Sequence, residues 1–368
     1  MRLCDLAPPH VCGIAPYQPG KPIAELAREL GLPEAGIVKL ASNENPLGVS
    51  PLARAAIAAR LDEVALYPDG NGFELKSALS AKLGVALAGI VLGNGSNDVL
   101  ELVARALLGP NTSAVYSEHA FAVYPLATQA VGALGIATPA RAYGHDLGAM
   151  LDALRDDTRV VFIANPNNPT GTLLGAGELH DFLKSVPEHV AVVLDEAYGE
   201  FLDEARRAPT LTWLAEFPNL ILTRTFSKAY GLAGLRVGYA LAHPEVADLL
   251  NRVRQPFNVN GLALAAAAAA LDDHEFIARS KAVNDAGMRQ ILDGCKALNL
   301  SHIPSHGNFV CVEVGADAAG VFQALLRRGV IVRPVANYGL AGFLRVSIGL
   351  PDQNERFLAA LSEILERA

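Results

Sequence analysis

A lysine in a glycine-rich loop is the residue of this chain best suited to nucleophilic chemistry. Lys228 lies in T-R-T-F-S-K-A-Y-G-L-A-G-L-R-V-G-Y, shortly after the apolar, strand-like run 220–222. Thr225 and Ser227 precede the lysine, and Arg236 follows eight positions later. An amine that is held in place and can lose its proton forms a Schiff base with an aldehyde, while hydroxyls and a guanidinium can hold a phosphate. The combination predicts a site for pyridoxal 5′-phosphate (PLP), an aldehyde that carries a phosphate.

Two upstream segments place further polar groups after predicted strands. The apolar run V-V-F-I-A leads into the turn N-P-N-N-P-T-G, which contains Asn168, and the run A-V-V-L ends in Asp195, with Tyr198 close behind. The gaps from Asn168 to Asp195 and from Asp195 to Lys228 leave room for helices that connect parallel strands. Because catalytic groups of α/β proteins gather at the carboxyl ends of such strands, we expect these residues to share one site.

These side chains suit the tasks that a pyridine cofactor requires. A buried carboxylate beside the pyridine nitrogen keeps that nitrogen protonated, which suits Asp195. Asn168 and Tyr198 can donate hydrogen bonds to the ring 3′-oxygen, and Arg236 offers a planar fork for the phosphate. Lys228, when it is free as an amine, can move the substrate α-proton as general base and acid.

Each of these features has an ordinary explanation when it is taken alone. Loop lysines are usually solvated, N-N-P-T-G is typical of a turn, and D-E-A-Y is typical of a strand end with solvated acids and a core tyrosine. Their order and their gaps favour a single site over three unrelated features.

The turn G-N-G-S-N-D, 93–98, carries the first two glycines of the dinucleotide-binding pattern G-x-G-x-x-G. Asp98 replaces the third glycine, and no ribose-binding acid is evident after it. We therefore do not expect a nicotinamide dehydrogenase.

Over nearly its whole length the chain resembles the fold type I PLP-dependent aminotransferases. The lysine segment, N-P-N-N-P-T-G and D-E-A-Y are typical of that superfamily. Within it the chain is similar to the histidinol-phosphate aminotransferases, through P-Y-Q-P-G near the N-terminus, L-Y-P-D-G at 66–70, and the arginines of V-I-V-R-P and F-L-R-V-S-I-G.

The resemblance implies a role for each site residue. Catalysis is assigned to Lys228, Asp195 and Tyr198. The implied cofactor contacts are Gly95, Ser96, Asn97, Phe121, Asn168, Asp195, Tyr198, Thr225, Ser227, Lys228 and Arg236, together with Tyr67, which would reach the cofactor phosphate of a neighbouring subunit. The implied substrate contacts are Tyr17, Asn43, Arg333 and Arg345. No metal is expected.

Two positions depart from the family pattern. The phosphate turn reads G-N-G-S-N-D where G-A-D-E or similar is common, which is tolerable because backbone N–H groups at a helix start bind the anion. Phe121 stands where a tyrosine is frequent, so stacking on the ring survives but one polar group is lost.

Arg333 and Arg345 both lie beside apolar, strand-like runs. Either could be an edge-strand arginine that faces water. A substrate with a phosphate or a second carboxylate needs a fork-shaped donor, which favours a binding role, for Arg345 more than for Arg333.

The order of apolar runs predicts an α/β fold with a mainly parallel sheet. Helix-like stretches such as 177–186 lie between most of the strand-like runs, which fall at 113–116, 158–164, 190–194, 219–224 and 236–241. The resemblance implies seven strands between helices. A long helix at 272–298 then precedes shorter strands at 309–314, 330–333 and 343–348 and a final helix, a pattern typical of a smaller α+β domain.

We expect three parts. An arm, 1–40, joins the small domain or a partner subunit. A large PLP-binding domain spans 41–271, and a small domain spans 272–368. A chain of 368 residues is long for a single core, which agrees with two domains.

Composition narrows the class of protein. A net charge of −8 without a basic run argues against nucleic-acid binding. Cys4, Cys12, Cys295 and Cys311 show neither C-x-x-C nor metal spacing, so we expect reduced thiols in the cytoplasm. The N-terminus lacks the apolar segment of a secretory signal, and the longest apolar stretch, 261–271, is too short to span a bilayer.

The resemblance implies a homodimeric enzyme of histidine biosynthesis that transfers an amino group between L-histidinol phosphate and 2-oxoglutarate, giving imidazole-acetol phosphate and glutamate. Its partners are these small molecules and a second copy of the chain, with neither nucleic acid nor membrane. Three alternatives stay open: a broad aromatic-amino-acid aminotransferase, a phosphothreonine-type PLP decarboxylase, and a non-catalytic cofactor-binding regulator, which would usually carry a fused DNA-binding domain.

Overall fold

The computed structural model describes residues 2–366. Three terminal residues of the predicted arm and small domain lie outside the described residues, namely Met1, Arg367 and Ala368. The side chain of Cys4 is also outside the description. The strands are β1 Val38–Lys39, β2 Ile90–Gly93, β3 Ser113–Ser117, β4 Leu134–Thr138, β5 Ala140–Arg141, β6 Gly144–His145, β7 Thr158–Ala164, β8 Ala191–Asp195, β9 Leu220–Thr225, β10 Gly238–Ala242, β11 His302–Ile303, β12 Phe309–Glu313, β13 Val330–Ile331, β14 Arg333–Pro334 and β15 Phe343–Ser347.

Helices connect and cover these strands. The α-helices are α1 Pro9–Cys12, α2 Ile23–Leu30, α3 Pro51–Ala59, α4 Phe73–Leu83, α5 Ser96–Leu107, α6 Val123–Ala130, α7 Leu147–Asp152, α8 Ala176–Ser185, α9 Thr210–Glu216, α10 Pro244–Val253, α11 Gly261–Leu271, α12 His274–Ala297, α13 Ala318–Arg327 and α14 Pro351–Leu365.

A seven-stranded sheet forms the centre of the fold, in the order β2-β10-β9-β8-β7-β3-β4. All of its strand pairs are parallel except those of β10, which runs antiparallel to β2 and β9. The central strands are almost entirely buried, which explains why they read as continuous apolar runs without alternation. The predicted α/β fold with a mainly parallel seven-stranded sheet is confirmed.

Helices bury both faces of this sheet. On one face, α11 packs against α3 and α4, and the buried alanines of its A-A-A-A-A-A run allow the helices to approach closely. On the other face, α5, α6 and α10 pack over β2, β3, β7 and β10. Each fully buried leucine in such a core contributes about 2 kcal/mol from the removal of apolar surface from water.

A second, antiparallel sheet lies in the C-terminal part of the chain, in the order β11-β12-β15-β14. Helices α12, α13 and α14 share a core with it. The N-terminal segment attaches here, because β1 pairs in parallel with β13 and Leu26 of α2 packs against Leu326 and Ile331. This attachment agrees with the predicted arm, while the three-part division at residues 40 and 271 stays a prediction.

Local differences from the sequence-based expectation have identifiable causes. The predicted strand 330–333 is two short strands, because β13 pairs with β1 whereas β14 pairs with β15. The predicted strand at 236–241 begins at Gly238, since Arg236 has a left-handed backbone with φ 55°. Sequence reasoning also missed β2 and β4, two outer strands of the large sheet.

Two negative findings concern residues 2–366. Within that span, none of the helices combines the length and the apolar character that crossing a bilayer requires. Over the same residues, acidic, histidine and cysteine side chains form no group of three or more that could hold a metal ion.

Candidate active site

A cavity of about 180 Å³ opens at the carboxyl ends of β7, β8 and β9. All of the predicted site residues line it except Gly95 and Tyr67. The parallel register aligns Ala164 with Asp195 and Asp195 with Thr223. This register brings segments that are far apart in sequence to one edge of the sheet, as expected for an α/β fold.

Lys228 lies in the loop after β9, is half-buried and lines the cavity. Its Nζ donates a hydrogen bond to the carbonyl oxygen of Ser42 at 3.2 Å. Burial and, after it, the positive charge of Arg345 lower the pKa of Lys228 to about 8. A sizeable fraction of this amine is therefore neutral near pH 7, which a nucleophilic or basic lysine requires.

Asp195 ends β8 and is buried. Its Oδ2 accepts a hydrogen bond from the hydroxyl of Tyr124 at 3.0 Å, whereas Oδ1 has no hydrogen-bond partner among the described residues. Burial raises the pKa of Asp195 to about 6, against the opposing effect of the Tyr124 hydrogen bond. A buried carboxylate oxygen without a partner is costly, so this atom is suited to a positively charged donor that enters the cavity.

The hydroxyl oxygen of Tyr198 accepts two hydrogen bonds. Asn43 Nδ2 donates from 2.9 Å and Asn168 Nδ2 from 3.1 Å. Burial raises the pKa of Tyr198 to about 12, so the hydroxyl keeps its proton at neutral pH. Because both amides occupy the oxygen as an acceptor, the O–H of Tyr198 is free to donate toward a ligand.

A set of donors that could bind an anion also lines the cavity. The Nη1 atom of Arg236 donates to Ser227 Oγ at 3.3 Å, and Ser96 lies at the start of α5, where helix N–H groups lack partners. Gly95 does not line the cavity, but its φ is 80° and a Cβ there would collide with the Arg236 guanidinium. The glycine therefore allows the arginine and the helix start to approach each other.

Arg345 is the more deeply held of the two predicted substrate arginines. It lies on β15 between β12 and β14, and only 7% of its surface is exposed. Its Nη1 donates to Asn168 Oδ1 at 2.6 Å and its Nη2 to the Ala41 carbonyl at 3.0 Å, while Nε has no partner among the described residues. The explanation of Arg345 as an edge-strand arginine that faces water is therefore wrong.

Arg333 does lie on an edge strand, β14, and is half-buried. Its Nη2 donates to the carbonyl oxygen of Gln18 at 2.6 Å, and its guanidinium lies 5.6 Å from the ring centre of Tyr17. The N-terminal arm thus contacts Arg333 at the cavity, together with the predicted substrate residue Tyr17.

Tyr67 lies outside this cavity. It is 84% exposed and stacks on Phe257 with ring centres 4.8 Å apart. The two rings border a separate apolar groove of about 840 Å³. Within one chain, Tyr67 is therefore not brought together with the other predicted residues.

Sequence reasoning missed several residues of the site. Tyr124 orients Asp195 and lies three residues after the predicted Phe121, but only the tertiary contact gives it a role. Ser42 and Tyr338 also line the cavity. The sequence pattern gave little indication of either residue, because Ser42 acts through its backbone carbonyl and Tyr338 lies in a short turn between two strands.

The donor set fits PLP. The open Oδ1 of Asp195 can accept from a protonated pyridine nitrogen, and the Tyr198 O–H can donate to the ring 3′-oxygen. Arg236 with the start of α5 can bind the phosphate, and Lys228 supplies the amine. Each of these groups faces the same cavity, so the residues match every polar group of the cofactor.

Comparisons with known proteins agree with this geometry. The family model for aminotransferase class I and II matches residues 35–361. The chain is 67% identical to histidinol-phosphate aminotransferase 1 of Thiobacillus denitrificans, covering 98% of this chain and 94% of that one. It is 64% identical to histidinol-phosphate aminotransferase 2 of Pseudomonas aeruginosa, covering 98% of each.

A solved structure supports the same assignment. The histidinol-phosphate aminotransferase of Sinorhizobium meliloti in complex with pyridoxal-5′-phosphate superimposes with a TM-score of 0.90, at 28% identity and with 98% of each chain covered. From the match of the family model and from full-length relatives at more than 60% identity, the chain belongs to the class I and II aminotransferases and, among them, to the histidinol-phosphate aminotransferase family.

Proposed function

We propose that this chain catalyses PLP-dependent transamination between L-histidinol phosphate and 2-oxoglutarate, giving imidazole-acetol phosphate and glutamate in histidine biosynthesis. The observation that carries the proposal is the site around Lys228. A half-buried amine with a lowered pKa lies in one cavity with an unpartnered carboxylate oxygen, a set of possible anion donors and two arginines. The names of the full-length relatives supply the substrate.

When bound, PLP supplies an electron sink for the bond that breaks at the substrate α-carbon. The residues of the chain bind and orient the cofactor and move the proton. Asp195 holds the proton on the pyridine nitrogen through its free Oδ1, and Tyr124 fixes the carboxylate from the other side. Tyr198 donates to the ring oxygen, and two asparagines keep its hydroxyl in that orientation.

Lys228 moves the proton. As a free amine it would take the proton from the substrate α-carbon and return it to the ring-side carbon of the bound cofactor, acting as general base and then as general acid. The lowered pKa suits both tasks, because a catalytic base works best when its pKa lies near the working pH. Phe121 lines the cavity beside these groups and offers an aromatic face to the pyridine ring.

The two arginines offer donors for the anionic groups of the substrates. Arg345 is fixed by Asn168 and by the Ala41 carbonyl, and its unpartnered Nε leaves a donor for an incoming oxygen. Arg333 lies nearer the surface beside Tyr17. We assign Arg345 and Arg333 together to the substrate phosphate of histidinol phosphate and to the carboxylates of glutamate.

The decisive experiment compares amino donors. The purified PLP-bound protein is assayed for glutamate formed from 2-oxoglutarate with L-histidinol phosphate, phenylalanine or tyrosine, and kcat/KM is compared. A strong preference for histidinol phosphate is expected, and Arg333→Gln should reduce that preference far more than Arg327→Gln, a helical arginine of α13 outside the cavity lining. Equal or better use of the aromatic amino acids would instead assign the chain to aromatic metabolism with the same cofactor chemistry.

The active unit is proposed to be a homodimer. Leu66, Tyr67 and Phe73 are all more than 60% exposed and border the apolar groove. Apolar side chains in such a continuous patch are costly to leave in water, which favours burial against a second copy. Tyr67 would then reach the cofactor phosphate of the partner.

A cytoplasmic location is part of the proposal. Cys295 and Cys311 are buried and free, and Cys12 is free and exposed. Thiols that stay unpaired suit a reducing compartment, where the small-molecule substrates of amino-acid biosynthesis are also found.

A further inference from the structure

His119 joins two segments that lie on different parts of the cavity wall. Its Nδ1 lies 2.6 Å from the carbonyl oxygen of Tyr338, in the short turn Ala336–Tyr338 between β14 and β15. A carbonyl oxygen only accepts hydrogen bonds, so Nδ1 must carry the proton. His119 itself lies in the turn after β3, two residues before Phe121.

Further contacts hold His119 at this junction. Its own carbonyl oxygen accepts a hydrogen bond from Asn167 Nδ2 at 2.9 Å, next to Asn168 in the chain. Its ring stacks on Tyr143 with centres 6.2 Å apart. A Cβ at Gly339, where φ is 76°, would lie 3.3 Å from the ring. The histidine is therefore packed on more than one side, and its position depends on both segments.

The two joined segments carry different functions. Phe121 and Tyr338 both line the cavity. Under the proposed function Phe121 belongs to the cofactor part, whereas Tyr338 belongs with Arg333 and Arg345 to the substrate part. The arginines stand opposite each other on β14 and β15, and the turn that carries Tyr338 connects those strands. A shift of this turn would move the substrate side of the cavity relative to the Phe121 side.

We propose that His119 is a positioning residue that fixes the Phe121 segment against the Tyr338 segment and thereby sets the spacing between the cofactor and substrate parts of the cavity. It acts through the Nδ1–H to carbonyl hydrogen bond and not by touching substrate. The expected effect on the substrate part of the cavity rests on the proposed function, whereas the expected effect on the cofactor part requires only that the protein binds PLP.

A pair of amide variants tests the hydrogen bond. The amide nitrogen of His119→Asn has the same reach as Nδ1, and that of His119→Gln is one bond longer. Loss of one such hydrogen bond corresponds to about fivefold in affinity. We expect His119→Gln to raise both the KM for histidinol phosphate and the dissociation constant of PLP by about that factor with little change in kcat, and His119→Asn to restore both values.

Each outcome decides the matter. Wild-type KM and PLP affinity in His119→Gln, or equal defects in both amide variants, would overturn the proposal, and a fall in Tm alone would mark the residue as merely structural. If His119→Gln does not fold, His119→Ala replaces it, because it removes the donor and adds no atoms. If the wild-type enzyme does not use histidinol phosphate, the proposed function fails, but the PLP titrations still test the role of His119.

Discussion

Tyr124 donates its hydroxyl hydrogen bond to Oδ2 of Asp195 at 3.0 Å, while Oδ1 of the same buried carboxylate has no partner in the described part of the chain. Tyr124 is itself fully buried and stacks on Phe162 with ring centres 4.9 Å apart. The rigid tyrosine therefore fixes one oxygen of the carboxylate of a residue that lines the cavity.

Removal of this hydroxyl should weaken cofactor binding. We expect Tyr124→Phe to raise the dissociation constant of PLP by about tenfold, because a buried carboxylate that loses a donor costs about 1–3 kcal/mol. Fluorescence titration of the apoprotein measures this constant. Tyr116→Phe is the matched control, since Tyr116 is a buried tyrosine of β3 that does not contact Asp195. Equal effects of the two changes would contradict the assigned role of Tyr124.

The lysine itself should be indispensable. Lys228→Ala is expected to abolish turnover and the visible absorbance that PLP acquires on binding to the lysine, because no other described residue places an amine in the cavity. Lys281→Ala, on α12 in ion pairs with Asp203 and Asp285, serves as the control and should keep both properties. Full turnover in the Lys228 variant would show that the site is wrongly assigned.

The pH dependence of cofactor capture should report the lowered pKa of Lys228. Below about pH 8 the amine is protonated and lacks the lone pair for attack, so the capture rate should rise as pH increases through about 8 and level off above it. An unperturbed lysine would give a midpoint near about 10.4. Stopped-flow absorbance of apoprotein mixed with PLP measures the rate.

Arg345→Gln is the companion variant for this measurement. It removes a positive charge that lowers the pKa of Lys228, so the midpoint should move to higher pH. The titration of PLP itself is common to both proteins, so the difference between their midpoints isolates the contribution of Lys228. An unchanged midpoint would contradict the electrostatic coupling of the two residues.

The anion site should depend on the glycine before α5. Gly95→Ala is expected to weaken PLP binding by more than about tenfold, because the new Cβ would push the Arg236 guanidinium away from the phosphate position. Gly84→Ala is a closely matched control: its φ is 68°, but a Cβ there meets nothing within 4 Å. It should cost only about 1 kcal/mol of stability and keep PLP affinity.

Shared active sites should appear in mixed dimers. When an inactive Lys228→Ala chain is mixed with an inactive Tyr67→Phe chain, one intact site forms in each mixed dimer, and about a quarter of wild-type activity should return. A mixture of Lys228→Ala with Asp195→Asn restores nothing, because these two residues serve the same cavity of one chain. Absence of recovery in proven mixed dimers would argue against a role for Tyr67 across the interface.

The local pattern of the chain predicted most of the residues that the structure brings to one cavity. Apolar runs that end in Asp195 or lead into the Lys228 loop are strands buried on both faces, and the carboxyl ends of parallel strands meet at one edge whatever the details of packing. The same reasoning failed for β2 and β4, outer strands of the sheet, and for β13 and β14, whose separation depends on two different partners.

By itself, the sequence determined the α/β fold, the candidate lysine and the order of the groups at the edge of the sheet, because these follow from periodicity and from residue type. Only the tertiary structure decided how the groups are oriented. The hydrogen bond from Tyr124 to Asp195, the burial that lowers the pKa of Lys228, and the junction of His119 with Tyr338 all join residues that no local pattern connects. Burial and hydrogen-bond geometry arise from contacts across the whole chain, so they become visible only when the chain is folded.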